Sequence, residues 1–384
     1  MRFEFATATR IVFGPGSIRE IGAVAQGLGS HALLVTGRNP GRAQPLIELL
    51  AQANIRATIY PIAGEPDIAS VERGVAVAKQ QACDHVISLG GGSAIDGGKA
   101  IAALLTNPGT ALDYLEVIGG GKPLPHSPAP FVAIPTTAGT GAEVTRNSVL
   151  ASPEHRVKVS LRSPLMLPKV ALVDPQLTLD LPREITAASG LDALTQLIEP
   201  YVSCRANPMT DTLCMDGIRR AARSLRGVCN HGSDLAARED MALASLFSGM
   251  ALANAGLGAV HGFAGPIGGM FPAPHGAVCA ALLPHVLAAN LRALQTREPQ
   301  NPARARFDEV ARLLTNSPTA TAEAGITWVN ELVRDLNIPR LSHYGIGPAH
   351  LADVAAKAQH ASSMKGNPLK LTPDELLQVL QAAL

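Results

Sequence analysis

The chain has 384 residues, of which 47% are hydrophobic and 16% charged, and its formal net charge is +1. That length exceeds one ordinary core and predicts two domains. The near-zero charge excludes a basic field for nucleic acid and an acidic tail, and no apolar run reads as a membrane span.

Short apolar runs alternate with helical patterns through the first half. Residues 31–36 read as a strand, 43–53 as a helix, 56–60 as a strand, 67–82 as a helix, 86–89 as a strand, 93–105 as a helix and 131–135 as a strand. Such alternation predicts a parallel sheet covered by helices on both faces, with ligands at the carboxyl ends of the strands. Residues 156–161 read as an added hairpin strand. After about Pro182 helical spacing takes over, in 186–202, 208–225, 235–255, 307–314 and 321–336. The expected domains are therefore an α/β unit over 1–183 and an all-helical unit over 184–384, with the active site expected in the cleft between them.

Two segments carry chemistry. The predicted strand ending at Leu89 runs into Gly90-Gly91-Gly92-Ser93-Ala94-Ile95-Asp96-Gly97-Gly98-Lys99. Its glycines admit an anion close to the backbone, Ser93 is the expected N-cap, and amides at the helix start form a pyrophosphate site. The bland reading is a turn that serves only strand-to-helix packing. The second segment, Val260 to Gly276, holds His261 and His275 among apolar residues, glycines and prolines, while Asp192 and Gln196 stand at i and i+4 upstream. On a helix these two share a face. Asp192, Gln196, His261 and His275 together form an N/O set suited to one divalent metal, whether iron, zinc or manganese, able to polarise an alcohol or carbonyl oxygen.

With these motifs the chain resembles the iron-containing (group III) alcohol dehydrogenase family. The resemblance runs from Arg10-Ile11-Val12-Phe13-Gly14-Pro15-Gly16 to Pro284-His285-Val286. It rests on the Gly90–Ser93 motif with Asp96 and Lys99, on Pro135-Thr136-Thr137-Ala138-Gly139-Thr140-Gly141-Ala142-Glu143-Val144-Thr145, on Val173-Asp174-Pro175 and on the His261–His275 segment. It implies a Rossmann-like α/β domain followed by an all-α domain, in the architecture shared with dehydroquinate synthase. It implies NAD or NADP as cofactor, held by Gly91, Gly92, Ser93, Ala94 and Ile95 at the pyrophosphate and by Thr136, Thr137, Thr140, Val149 and Lys158 elsewhere. Taken alone, Lys158 reads as a solvated strand lysine. It also implies Asp192, His261 and His275 as metal ligands and catalytic residues, with Fe²⁺ or Zn²⁺ bound.

The chain departs from the family at three positions. Gln196 stands where a histidine is usual, and an amide oxygen is the weaker donor for a borderline metal. Gly265 stands where many relatives carry a pocket histidine, which leaves water or a cofactor ribose hydroxyl to relay the proton. Gly37 stands where NAD-preferring relatives carry an aspartate, so Gly37 with Arg38 and Asn39 points to NADP, alone or beside NAD. Phe263 and Met270 read as core. The five cysteines are scattered without metal or disulfide spacing and read as reduced core thiols. With an N-terminal segment that lacks an apolar signal core, they point to a cytoplasmic protein.

The expected reaction is reversible hydride transfer between a small alcohol and NAD(P)⁺. The alternatives are a metal-independent reductase of the same fold acting on an oxo acid, as maleylacetate reductases do, and a lyase like dehydroquinate synthase. The expected partner is a small alcohol or aldehyde, with no nucleic acid and no membrane, and the family implies a homodimer.

Overall fold

The computed structural model describes residues 2–384. Its contacts divide the chain into two units: Thr7–Thr137 with Gly141–Leu179, and a helical unit of Asp180–Leu384 joined by residues 2–6 and Ala138–Thr140.

The first unit contains β1 (Arg10–Phe13), α1 (Ile21–Gln26), β2 (His31–Thr36), α2 (Gln44–Gln52), β3 (Arg56–Pro61), α3 (Ile68–Gln80), β4 (His85–Gly90), α4 (Gly92–Thr106), α5 (Ala111–Tyr114), β5 (Phe131–Pro135), β6 (Asn147–Ser152), β7 (Val157–Arg162) and β8 (Val170–Val173). Six strands form one sheet in the order β1-β8-β5-β4-β2-β3, and every pairing is parallel. β2, β4 and β5 are buried along their whole length, which is why they read as mainly apolar runs rather than alternating ones. Successive residues then serve opposite cores. Leu33 and Val35 pack with Val71, Ile95, Ile101 and Phe131 on one face, and Ala32 and Leu34 with Ile21, Leu46 and Leu50 on the other. β6 and β7 form a separate antiparallel hairpin with alternating burial.

Asp174, at the end of β8, accepts hydrogen bonds from the amides of Gly16, Ile18 and Gln176 at 3.0–3.1 Å. The motif pair Gly14-Pro15-Gly16 and Val173-Asp174-Pro175 is thus a latch between the turn after β1 and the end of β8. Gly14 and Gly16 adopt positive φ, 142° and 80°, where a side chain is disfavoured.

The second unit contains α6 (Arg183–Val202), α7 (Pro208–Asn230), α8 (Leu235–Ala255), α9 (Ala259–Met270), α10 (His275–Arg297), α11 (Ala303–Thr315), α12 (Ala322–Asp335), α13 (Leu351–Gln359) and α14 (Pro373–Ala383). α6 and α10 are buried nearly all round, and their low aromatic content is offset by close approach at glycines. A Cβ on Gly217 would lie 2.5 Å from Leu197, and one on Gly276 would lie 2.6 Å from the Ala188 carbonyl. α10 is long and apolar enough to cross a bilayer, but it is a core helix of this unit, packed with α6, α9, α12 and α14. Phe263 is fully buried and Met270 packs on the same core.

Two expectations need correction here. Ser93 is not the N-cap of α4: Gly91 is, with extended backbone and no side-chain cap, so the helix starts at Gly92. The cysteines are unpaired, but Cys204 is exposed, because it lies in the turn just after α6 and its C-cap Ser203.

Candidate metal centre and cofactor cradle

The chain runs from β2 outward to β3 and then returns to place β4 and β5 on the other side of β2. The order therefore reverses between β2 and β4, and open α/β sheets bind ligands at the carboxyl ends beside such a reversal. Gly37 follows β2 and Gly91 follows β4. A Cβ on Gly90 would meet Ala94 at 2.6 Å and the Gly37 amide nitrogen at 3.5 Å, and one on Gly91 would meet Thr137 at 3.3 Å. Three strand ends converge there, and the Thr136 amide donates to the Gly90 carbonyl at 2.9 Å.

The Ile95 amide donates to the Gly91 carbonyl at 3.1 Å, so it is spent inside α4. The amides that helix geometry leaves over are those of Gly92, Ser93 and Ala94. Of the residues expected here, Gly91, Gly92, Ser93, Ala94, Thr136 and Thr137 gather at this point. Thr140 instead belongs to the short Ala138–Thr140 stretch of the helical unit.

Val149 and Lys158 lie on the β6–β7 hairpin. Asp96 pins that hairpin to α4 by accepting from the Val149 amide at 3.1 Å, while its carbonyl accepts from Ser148 Oγ at 2.7 Å. Lys158 is not a solvated lysine: its side chain is 10% exposed and its Nζ lies 3.2 Å from Glu65 Oε1. Arg38 Nε donates to the Ala63 carbonyl at 3.1 Å, and Asn39 Oδ1 accepts from the Gly41 amide at 3.2 Å as the cap of a short helical turn. Lys99 is buried and donates to the carbonyls of Ala142 and Asn147 and to Thr145 Oγ1 at 2.8–2.9 Å, so it braces the turn after β5. Burial brings its pKa down to about 8, against the pull of Asp96.

The metal-ligand candidates gather in the helical unit. Asp192 projects from the middle of α6, His261 from the first turn of α9 and His275 from the first residue of α10. His261 Nε2 lies 3.3 Å and His275 Nε2 3.7 Å from Asp192 Oδ1. That Oδ1 is buried without a hydrogen-bond partner, close to both imidazoles but not aligned for a bond to either. A buried carboxylate oxygen left bare costs free energy unless a cation meets it. Gly276 makes the grouping possible: α10 comes so close to α6 that a Cβ there would also lie 3.4 Å from Asp192 Cβ.

Two further residues complete the cluster. Glu199 accepts from His261 Nδ1 at 2.7 Å and from the Val260 amide at 2.7 Å, anchoring the start of α9 and turning His261 Nε2 toward Asp192. Cys279 Sγ lies 3.7 Å from Nε2 of both histidines. Asp192, His261, His275 and Cys279 each offer one ligand atom, and all four atoms lie within 4.8 Å of one another. Cys279 is a free, buried core thiol as expected, and it also faces the two histidines. Gln196 is buried one turn beyond Asp192; its Nε2 donates to the Gly139 carbonyl at 3.1 Å and its Oε1 has no partner.

The charge pattern favours a cation. Burial alone lowers the pKa of the two histidines, but Cys279, Glu199 and Asp192 outweigh it, holding His261 well above its ordinary value and His275 up to about 9. Burial raises the Asp192 carboxyl, yet His275 and His261 draw it below the usual carboxylate range. Acidic groups packed around two imidazoles in a largely buried cluster are a donor set suited to a divalent metal.

A parallel sheet with a glycine turn at its reversal, and a buried carboxylate–histidine cluster in the helical unit, are features suited to a metal-assisted nucleotide-dependent oxidoreductase. Residues 8–175 match the iron-containing alcohol dehydrogenase family and residues 186–384 the C-terminal region of the Fe-containing alcohol dehydrogenase family. The chain belongs to this family. It is 38% identical to 1,3-propanediol dehydrogenase of Klebsiella pneumoniae, over 99% of this chain and 98% of that one. It superimposes on a crystal structure of 1,3-propanediol oxidoreductase with TM-score 0.91 at 36% identity, covering both chains completely. It also matches sulfoacetaldehyde reductase from Bifidobacterium kashiwanohense, solved in complex with NAD⁺, with TM-score 0.87 at 26% identity, over 100% of this chain and 99% of that one. The protein is thus an oxidoreductase acting on CH–OH groups, interconverting alcohol and aldehyde with NAD(P) and a divalent metal.

Proposed function

We propose that the α/β unit holds the dinucleotide and the helical unit holds the metal and a short-chain alcohol, with Asp192, His261 and His275 as the metal-binding and catalytic residues. The observation that carries this reading is the partnerless Asp192 Oδ1 buried between two imidazole nitrogens. It also weighs against a metal-independent oxo-acid reductase and, with the family membership, against a lyase. When bound, the metal supplies a Lewis acid at the substrate oxygen and the nicotinamide supplies the hydride acceptor. Glu199 holds the Nδ1 proton of His261, so that Nε2 is the donor atom. Gly91, Gly92, Ser93 and Ala94 present backbone to the pyrophosphate, with Thr136, Thr137, Thr140, Val149 and Lys158 as further cofactor contacts and the amide of Ile95 excepted. Gly265 has no side chain to carry a proton, and a Cβ there would meet nothing within 4 Å, so water or a cofactor ribose hydroxyl takes the substrate's proton.

The substrate class follows the similarity to 1,3-propanediol dehydrogenase: short primary alcohols, diols included, and their aldehydes. The net charge of +1 and the burial of α10 support a protein without nucleic-acid or membrane partners. We also read it as a cytoplasmic homodimer, to be checked by sedimentation. The deciding experiment assays such alcohols and aldehydes with both cofactors, beside elemental analysis, for the unaltered protein and Asp192→Ala. The variant is expected to lose metal and at least about a hundredfold in kcat/KM while staying folded. Full activity of Asp192→Ala after dialysis against chelator would remove the metal from the reaction.

A further inference from the structure

We propose that Cys279 is a fourth protein ligand of this metal, and that its thiolate makes the site select zinc-like, thiophilic ions over ferrous iron. The proposal rests on the metal reading above and adds to it the identity of the donor and of the ion.

The geometry carries it. Cys279 lies one turn after His275 on α10, so both side chains leave the same face of the helix. Its Sγ stands 3.7 Å from each histidine Nε2, and the two Nε2 atoms stand 3.3 and 3.7 Å from Asp192 Oδ1. A tetrahedral zinc with bonds of about 2.0–2.1 Å to N and O and about 2.3 Å to S sets its ligands about 3.3 Å apart for N···O and about 3.6 Å for S···N. The four measured spacings come within a few tenths of an ångström of these values, and all four donor atoms lie within 4.8 Å of one another.

Each other explanation for the thiol is weaker. A sulfhydryl placed for packing has no need of two imidazole nitrogens at equal distance, and no disulfide partner is in reach, since all five cysteines are unpaired. Gln196 cannot fill the position as well: its Nε2 is committed to the Gly139 carbonyl, and its Oε1 is a neutral oxygen. The independent sign that a ligand belongs here is the pair of buried, partnerless oxygens, Asp192 Oδ1 and Gln196 Oε1. Binding replaces the thiol proton with the metal and releases that proton to solvent. His275 keeps 35% of its side chain exposed, so the cluster is open to a small molecule on that side.

The test begins with chelator-treated full-length protein, unaltered and as Cys279→Ser, titrated with Co²⁺ and followed by absorbance. The unaltered protein is expected to show an intense near-ultraviolet thiolate-to-cobalt band that Cys279→Ser lacks. Competition between Zn²⁺ and Fe²⁺ should show Cys279→Ser losing at least about tenfold of the preference for zinc, since hydroxyl is the harder donor. X-ray absorption of the zinc-loaded unaltered protein supplies a readout that needs no variant: one sulfur scatterer at about 2.3 Å. Tight cobalt binding with visible d–d bands but no thiolate band, or a zinc shell of nitrogen and oxygen alone, overturns the role of Cys279 and leaves the metal reading standing. Failure of the unaltered protein to bind any divalent ion, with reductase activity intact, overturns both.

Discussion

Glu199 Oε2 lies 2.7 Å from His261 Nδ1, and the same carboxylate, through Oε1, holds the Val260 amide. One side chain thus sets both the ring orientation of a metal ligand and the start of the helix that carries it. Carboxylate–histidine pairs of this kind raise ligand basicity and hold the tautomer, and their loss costs about 10–100-fold in metal affinity. Glu199→Gln is expected to fall in that range, because a glutamine accepts the Nδ1 proton without charge. Competition against a chromophoric chelator measures it, and an unchanged dissociation constant would show that Glu199 only packs α9.

Cofactor choice is predicted to change at Gly37. A Cβ at this position meets nothing within 4 Å, so an aspartate enters without strain. Its carboxylate would repel a 2′-phosphate and bond the ribose hydroxyls. The unaltered enzyme should reduce aldehydes with NADPH at least as well as with NADH. Gly37→Asp should move the ratio of kcat/KM values toward NADH by about tenfold or more, which is about 1.4 kcal/mol. A strong NADH preference that the substitution leaves alone would refute the role of Gly37.

Glu143 should impose a pH dependence on stability. It is 2% exposed, and burial pushes its pKa from 4.5 up to about 7, against the pull of Lys99. A raised folded-state pKa means that the native protein holds this proton longer than the unfolded chain. The stabilisation is complete below pH about 4.5 and is lost as pH rises through about 7. Lys99, brought down to about 8, acts in a separate window above that value. The loss attributable to Glu143 is at most about 3 kcal/mol. Urea midpoints at pH 5 and pH 7.5, unaltered protein against Glu143→Gln, isolate it: the difference between the two proteins should change with pH, and a constant difference would count against the prediction.

Gln196→His should raise affinity for divalent metal, with Fe²⁺ gaining most, because imidazole is the better donor for a borderline ion. The change gives up one hydrogen bond to the Gly139 carbonyl, a loss of about 1 kcal/mol in stability. Activity need not follow, since a further ligand competes with substrate for space. Superimposable Fe²⁺ and Zn²⁺ titrations of the two proteins would place position 196 outside the coordination sphere.

The strands of the sheet were legible because β2, β4 and β5 are buried on both faces and, apart from His31 and His85 at the starts of β2 and β4, carry apolar and small residues. α9 and α10 were not. α9 runs through Gly262, Gly265, Pro266, Gly268 and Gly269, and α10 carries Pro284 in its interior, so local propensity argues against both helices. Burial of Phe263, Ile267 and Val278 in the helical core overrides it. The hidden start of α10 concealed Cys279, whose partnership with His275 is an i, i+4 spacing only once the helix is known to begin at His275. Glu199 had a readable signal: it stands three residues after Gln196 and seven after Asp192, on the same face of α6. Ser93 was misplaced because serine is a favoured N-cap, whereas an anion site is better served by a glycine that brings no side chain of its own.

The contact of Gly276 with the Ala188 carbonyl gives this position an unusual standing in the molecule. A residue without a functional group determines how far apart two catalytic helices lie. In a saturation survey of variants, position 276 would tolerate as little as Asp192 or His275, yet what would fail is spacing rather than chemistry. No added ligand or altered pH would rescue such a variant, whereas excess metal would partly restore a weakened donor. Redesign of this enzyme toward other ions therefore has freedom in the donors and almost none in the glycine beneath them.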